Sequence, residues 1–236
     1  MKQKLATVAL FVLLGIGAAS YGWREWSASR DAAAEPVEVD LASLENGASP
    51  PNPHVRIGAL VACYYSTVGE YKTDRRRGKR RADANTRLTH CFYPIISPAH
   101  PFVQKVNELA EKHGGLDKIP EDTDLPAIDR FAVMVKTERF KKFGDIPDVP
   151  HRREEQLQGL VINTLRPLGY KEKKLLREEF PNMDFDKVLV VEENRKPSSW
   201  ARCAAFQYGG AALIGVGLLL GLVFIARGGT AKEATP

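Results

Sequence analysis

Uncharged apolar positions gather in two blocks near the ends of the 236-residue chain, and most of the charge lies between them. The first block, LATVALFVLLGIGAAS, runs from Leu5 to Ser20 behind the basic start Met1-Lys2-Gln3-Lys4. Basic residues, then an apolar stretch, then small residues follow the order of an export signal. Two outcomes stand. Gly17-Ala18-Ala19 or Ala18-Ala19-Ser20 can serve as a cleavage site, or residues 1–26 stay as a signal-anchor with Tyr21, Trp23 and Trp26 as an interfacial belt. Retention is the expectation. The block is short for a bilayer core of about 30 Å, which keeps cleavage open. The second block, Cys203 to Ala226, is uncharged over 24 residues and is bracketed by Arg202 and Arg227. About 20 apolar residues suffice to span, so residues 203–227 read as a transmembrane helix followed by a cytoplasmic tail, 228–236.

The central region carries mixed periodicities. From His54 to Lys72, the residues Val55, Ile57, Ala59, Val61, Cys63 and Tyr65 fall on one face, as a half-buried strand requires. Thr89–Ile96 (THCFYPII) is again rich in strand formers. The two predict a long hairpin centred near residue 77, which puts Cys63 roughly opposite Cys91. Pro101–His113 carries Phe102, Val106, Leu109 and Ala110 at helical spacing, with Gly114 as a stop signal. Arg130–Thr137, Gly159–Leu165 and Lys187–Glu192 read as strands, and Lys171–Phe180 reads as a charged helix. The whole predicts an α+β fold: a small curled mixed sheet or barrel-like domain over 54–194 with a few helices. Two transmembrane helices flank it. Residues 27–53 read as a linker with a short helix at Leu41–Glu45, and 195–202 as a second linker.

Charge changes the picture at one place. Arg75, Arg76, Arg77, Lys79, Arg80 and Arg81 form a basic run at the hairpin tip, in a chain of net charge +5. Such a run is either a solubilising tip or a site for an anionic surface. Each cation near an anionic bilayer contributes about 1 kcal/mol, and an acidic protein is the other partner. Counting Lys and Arg around the apolar blocks is close to a draw. The signal-like start decides for a cell-membrane protein with the central domain extracytoplasmic. Nucleic acid is not expected there. A cytoplasmic domain would reverse that and bring nucleic acid or the inner leaflet forward.

Candidate chemistry is sparse. An exported Cys63–Cys91 pair is a candidate disulfide; two buried free thiols are the alternative. His54, His90, His100, His113 and His151 show no ligand spacing, and no nucleophile motif or phosphate-cradling glycine loop occurs. Hence no catalytic residue, metal or cofactor is expected. The pairs Glu154-Glu155, Glu178-Glu179 and Glu192-Glu193 read as solvated faces. Gly217 and Gly221 form a small-xxx-small pattern, and Gly210 lies one heptad before Gly217. Such glycines let helix backbones approach, which suggests self-association or docking on other membrane proteins.

An apolar segment near each end with a β-rich exported domain between them resembles the layout of the surfeit-type cytochrome oxidase assembly factors. Layout alone carries the resemblance; the Trp-rich start of that family is absent, and no residues are transferred. The functional expectation is an interaction, scaffold or assembly factor of the cell envelope, with membrane lipids and membrane proteins as partners. The rival is a membrane-bound enzyme on an envelope or lipid substrate, which requires His54, His90, His100, Asp129 and Asp184 to converge in a cleft.

Overall fold

The uninterrupted apolar run Cys91–Ile96 lies on a strand that is covered on both faces, and it sets the architecture of the central region. The computed structural model describes residues 2–71, 83–115, 118, 120, 123, 128, 130–149, 151–163 and 168–229. The chain divides into two units, 33–196 and 1–32 with 197–236.

In the central unit the order is β1 (Val37–Val39), α1 (Leu41–Glu45), β2 (His54–Ala62), β3 (Val68–Tyr71), β4 (Leu88–Ile96), α2 (Pro101–His113), β5 (Val133–Thr137), β6 (Arg152–Val161), α3 (Tyr170–Glu179) and β7 (Leu189–Glu193). The strands form one sheet, β1-β2-β6-β7-β5-β4-β3, and a further β2–β4 pairing closes it. The closure is short, Val61 opposite Ile96 and Ala62 opposite Ile95. Five strands thus make a closed barrel-like sheet, with β1 and β3 appended to β2 and β4. Closure removes most of the exposed edge that an open sheet would present.

Period-2 alternation divides the core into two layers. Cys91, Tyr93 and Ile95 on β4 join Val55 and Ile57 on β2, Val133 and Val135 on β5, Leu157 on β6 and Val191 on β7 in the interior cluster. Their neighbours Phe92, Ile96, Met134 and Val190 join Phe102, Val103 and Val106 of α2 and Leu176 of α3 in the outer cluster. The helix α2 begins with Pro101 at its first turn and is capped by the His100 ring, which accepts from Phe102 N at 3.2 Å. It ends at Gly114, whose φ of +76° is a left-handed conformation that glycine adopts without steric cost.

Several expectations need correction. The face Val55 to Tyr65 does not hold its phase. Ala59 has φ +45°, no Ala59–Glu155 pair forms, and beyond that point Leu60 and Ala62 face the interior while Val61 and Cys63 face the outer cluster. A 3-10 turn at Tyr64–Ser66 then ends the run and leaves Tyr65 exposed. The hairpin therefore joins β3 to β4, and Gly69, not Cys63, stands opposite Cys91. Within residues 27–53 the expected short helix is present at Leu41–Glu45, but the segment is more than a linker. Its second half carries β1, parallel to β2, and α1, which buries Leu41 and Leu44 in the interior cluster. Asp40 caps α1 by accepting from Ser43 N at 3.0 Å. The strand expected at Gly159–Leu165 begins earlier, at Arg152, because the charged stretch Arg152–Gln156 pairs along β2.

The other unit is a pair of long helices, αN (Lys2–Ser29) and αC (Trp200–Gly229). Leu5–Ser29 and Trp200–Ala226 are long and apolar enough to cross a membrane, at 25 and 27 residues. At 1.5 Å per residue they measure about 38 and 40 Å, against about 30 Å for a hydrocarbon core. Tyr21, Trp23 and Trp26 continue αN as helix, so the segment is longer than its uncharged block.

Candidate functional site

Glycines set the αN–αC contact. A Cβ placed on Gly15 would meet Gly210 O at 2.6 Å and Ile214 Cγ1 at 2.7 Å, and one on Gly210 would meet Ala19 N at 2.5 Å. Gly22 faces Cys203 O at 2.8 Å, Gly217 faces Val12 Cγ2 at 3.0 Å, and Gly221 is looser, 3.6 Å from Val8. Positions that rise along αN meet positions that fall along αC, so the helices run antiparallel. Gly210, Gly217 and Gly221 thus face a helix of their own chain. The counterpart glycines, Gly15 and Gly22, share the heptad spacing of Gly210 and Gly217 but lie in a segment that reads as an export signal, where helix packing is not the expectation. Beside the seam, Ser198 Oγ donates to Glu25 Oε2 at 2.7 Å and Ser198 N donates to Ser29 Oγ at 2.8 Å.

A polar group gathers around Arg139, an exposed residue just beyond β5, against the buried Tyr64 and Phe140 of the interior cluster. Its Nη2 donates to Tyr64 Oη at 2.7 Å and lies 3.4 Å from Glu154 Oε1; its Nη1 lies 3.4 Å from Glu193 Oε1. Tyr64 donates to Glu154 Oε1 at 2.5 Å, and its ring centroid is 5.1 Å from that of Tyr93. The guanidinium also covers the Phe140 ring at 4.7 Å. Tyr93 Oη and Glu193 Oε2 are buried and meet no hydrogen-bonding partner among the described residues. Burial pushes the Tyr64 phenol far up, helped by its bond to Glu154, and pushes Tyr93 up further, helped by Glu193. Burial opposes the Arg139 charge, but Tyr93, Glu193, Tyr64 and Glu154 outweigh it and hold the guanidinium protonated. Tyr64 thus accepts from Arg139 and donates to Glu154, which links the three side chains in one hydrogen-bonded chain.

Glu154 and Glu193 were expected on solvated faces. Their side chains are 16% and 9% exposed. For Glu193 the missed signal is alternation from the interior Val191; Glu154 turns inward because the phase slips at Glu155, beside Ala59, and places it opposite the interior Leu60. Glu155 takes the outward place beside Glu154.

A second polar group lies on β3, β4, β5 and α3. His90 Nε2 is 3.1 Å from Glu70 Oε2 and 3.9 Å from Glu172 Oε1, and Lys136 Nζ is 2.8 Å from the same Glu172 oxygen. Burial, then Lys136, holds the His90 ring below its ordinary range against Glu70 and Glu172. Glu172 itself is held low: burial opposes its charge, but Lys136 and the Gly169 N–H outweigh it.

The residues that an enzyme reading would bring together lie apart. His54 Nδ1 donates to Ala33 O at 2.9 Å, His100 caps α2 with Nε2 3.0 Å from Arg130 O, and Asp184 accepts from Asp186 N. Asp129 lies outside the described residues. Among the described residues no three His, Cys, Asp or Glu side chains are grouped to hold a metal ion. Cys63 and Cys91 are free and buried, one in the outer cluster and one in the interior. Their thiols point to opposite faces of the sheet, which separates the candidate pair. The basic run Arg75 to Arg81 lies outside the described residues; it belongs to the connection between β3, which ends at Tyr71, and β4, which begins at Leu88. No family model, curated protein or solved structure matches the chain.

Proposed function

We propose that the chain is an integral membrane protein whose barrel domain is held on the extracytoplasmic side of the cell membrane by the αN–αC pair. There it acts as an interaction, scaffold or assembly factor of the cell envelope. The observation that carries this reading is the antiparallel glycine seam between two helices each long enough to cross a bilayer. An antiparallel pair returns both ends of the domain to one side of the membrane. Cleavage after Ala19 would remove Gly15 and Ala19 from the seam, which supports retention of αN. A domain tethered at both ends is confined to partners in or beside the same membrane. Its basic connection, Arg75 to Arg81, suits an anionic lipid surface or an acidic partner.

A compartment reporter inserted within Arg75–Arg81 tests the reading. Active export-dependent phosphatase is the expected result. Activity only from a cytoplasm-specific reporter overturns the topology and favours the inner leaflet or nucleic acid as the anionic target. A membrane-bound enzyme is the second reading; in its favour are the Tyr93 hydroxyl and Glu193 Oε2, buried without a hydrogen-bonding partner among the described residues.

A further inference from the structure

A cavity of about 180 Å³ lies between α2, the end of β2 and the start of β6. Val61, Phe102, Val103 and Val106 give it a carbon lining, and all four are buried in the outer cluster. His151, Asn107 and Arg153 complete it, and the last two are exposed. The polar side therefore forms the mouth. Register places the cation there: Arg153 stands opposite Val61 on the paired strands, so the two side chains share the outer face. The His151 ring meets the Phe102 ring edge-on, with centroids 6.0 Å apart and planes at 88°.

Two polar groups at this mouth lack a counterpart. Arg153 makes no ion pair or hydrogen bond among the described residues, and no carboxylate lines the cavity. His151 Nδ1 is buried and meets no hydrogen-bonding partner among the described residues. Burial, then Arg153, holds that ring below its ordinary range. At neutral pH it is therefore uncharged, and with its proton on Nδ1 it can donate. The site thus offers one positive charge and one neutral donor. A guanidinium fork matches a planar carboxylate through two parallel N–H···O bonds, and a monoanion balances the single charge. Size limits what the carboxylate carries. An apolar cavity of about 150 Å³ admits a benzene ring, so the volume here suits a body of about six carbons. A long acyl chain would not fit.

We propose that this cavity binds a small apolar carboxylic acid, its carbon body against Val61, Val103 and Val106 and its carboxylate on Arg153 and His151 Nδ1. The cavity belongs wholly to the barrel unit. It is therefore independent of which side of the membrane that unit occupies, and a failure of the topology reading leaves it standing.

The test titrates the full chain in neutral detergent at pH 7.5 with sodium benzoate. Acetate supplies the charge without the ring, and benzyl alcohol the ring without the charge. Calorimetry measures binding, and the ¹⁵N signals of the His151 ring report where it occurs. Benzoate should saturate and shift His151, and acetate and benzyl alcohol should each bind at least about tenfold more weakly. R153Q should weaken benzoate binding by about tenfold or more. Arg153 is exposed, so this variant should keep the fold, which circular dichroism checks. K174Q, at an exposed position of α3, should change binding less than twofold. Absence of saturable benzoate binding, benzyl alcohol binding as tightly as benzoate, no His151 shift at saturation, or R153Q binding like the parent overturns the proposal.

Discussion

Replacing Arg139 by Met would remove the cation that, among the described residues, joins Tyr64, Glu154 and Glu193. The size of the effect follows from the geometry. At 3.4 Å and an effective dielectric constant near 20, the Arg139–Glu193 attraction is about 5 kcal/mol. Arg139 is 39% exposed, so solvent screens roughly half of that. What remains is a Glu193 carboxylate, 9% exposed, without its counter-ion. Breaking a buried pair from one side costs about 3–5 kcal/mol, and partial exposure places this case lower, at about 2–3 kcal/mol. For a unit of this size each kcal/mol lowers the melting temperature by about 2–4 °C, so R139M should melt about 5–10 °C below the parent. The assay is far-UV circular dichroism of the full chain in micelles. Tryptophan fluorescence would miss the transition, because Trp23, Trp26 and Trp200 all lie outside the barrel unit. The second variant decides the mechanism. E193Q in the R139M background removes the stranded charge and should recover about half of the loss. An R139M melting point within 1 °C of the parent, or no recovery in R139M/E193Q, would refute the reasoning.

Two further predictions concern titration. His90 is held below its ordinary 6.5 by burial, so the folded chain binds fewer protons than the unfolded one, and stability must fall as pH drops through about 6.5. The melting temperature should therefore decrease between pH 7.5 and 5.5, and H90Q should flatten that slope; His151, shifted in the same direction by burial and Arg153, accounts for the remainder. An unchanged slope in H90Q would show that His90 is not the titrating group. Burial pushes the Cys63 and Cys91 thiols up to about 12, so at pH 8 neither is a thiolate. Both should resist maleimide in the folded chain and label on unfolding, with no bridge seen without reductant. Prompt labelling of either, or a Cys63–Cys91 crosslink, would contradict their placement on opposite faces.

Much of the element pattern was legible because it is local. Pro101–His113 matched its helix to the residue, since the spacing of Phe102 and Val106, the proline at the first turn and Gly114 all act within a few residues. The strands around Val133–Thr137 and Leu189–Glu193 also showed in their β-branched runs. The hairpin register did not. It turned on Ala59, a residue with no turn signature that takes a left-handed φ, and on the 3-10 turn that follows it. Strand Arg152–Gln156 was hidden for a different reason: its outward residues are charged, and only its pairing with β2 defines it.

The sequence by itself determined the two long apolar segments, the mixed α+β character of the region between them and the positions of most helices and strands. These follow from composition and from periodicities of 2 and 3.6 residues, which need no knowledge of distant partners. Tertiary structure alone decided that the sheet closes through two residue pairs of β2 and β4, that Glu154 and Glu193 meet Arg139, and that Gly210 faces Gly15. Each of these joins residues far apart in the chain. Their energies come from burial and from charges brought within a few ångströms, and no local pattern of residues encodes which distant neighbour supplies them.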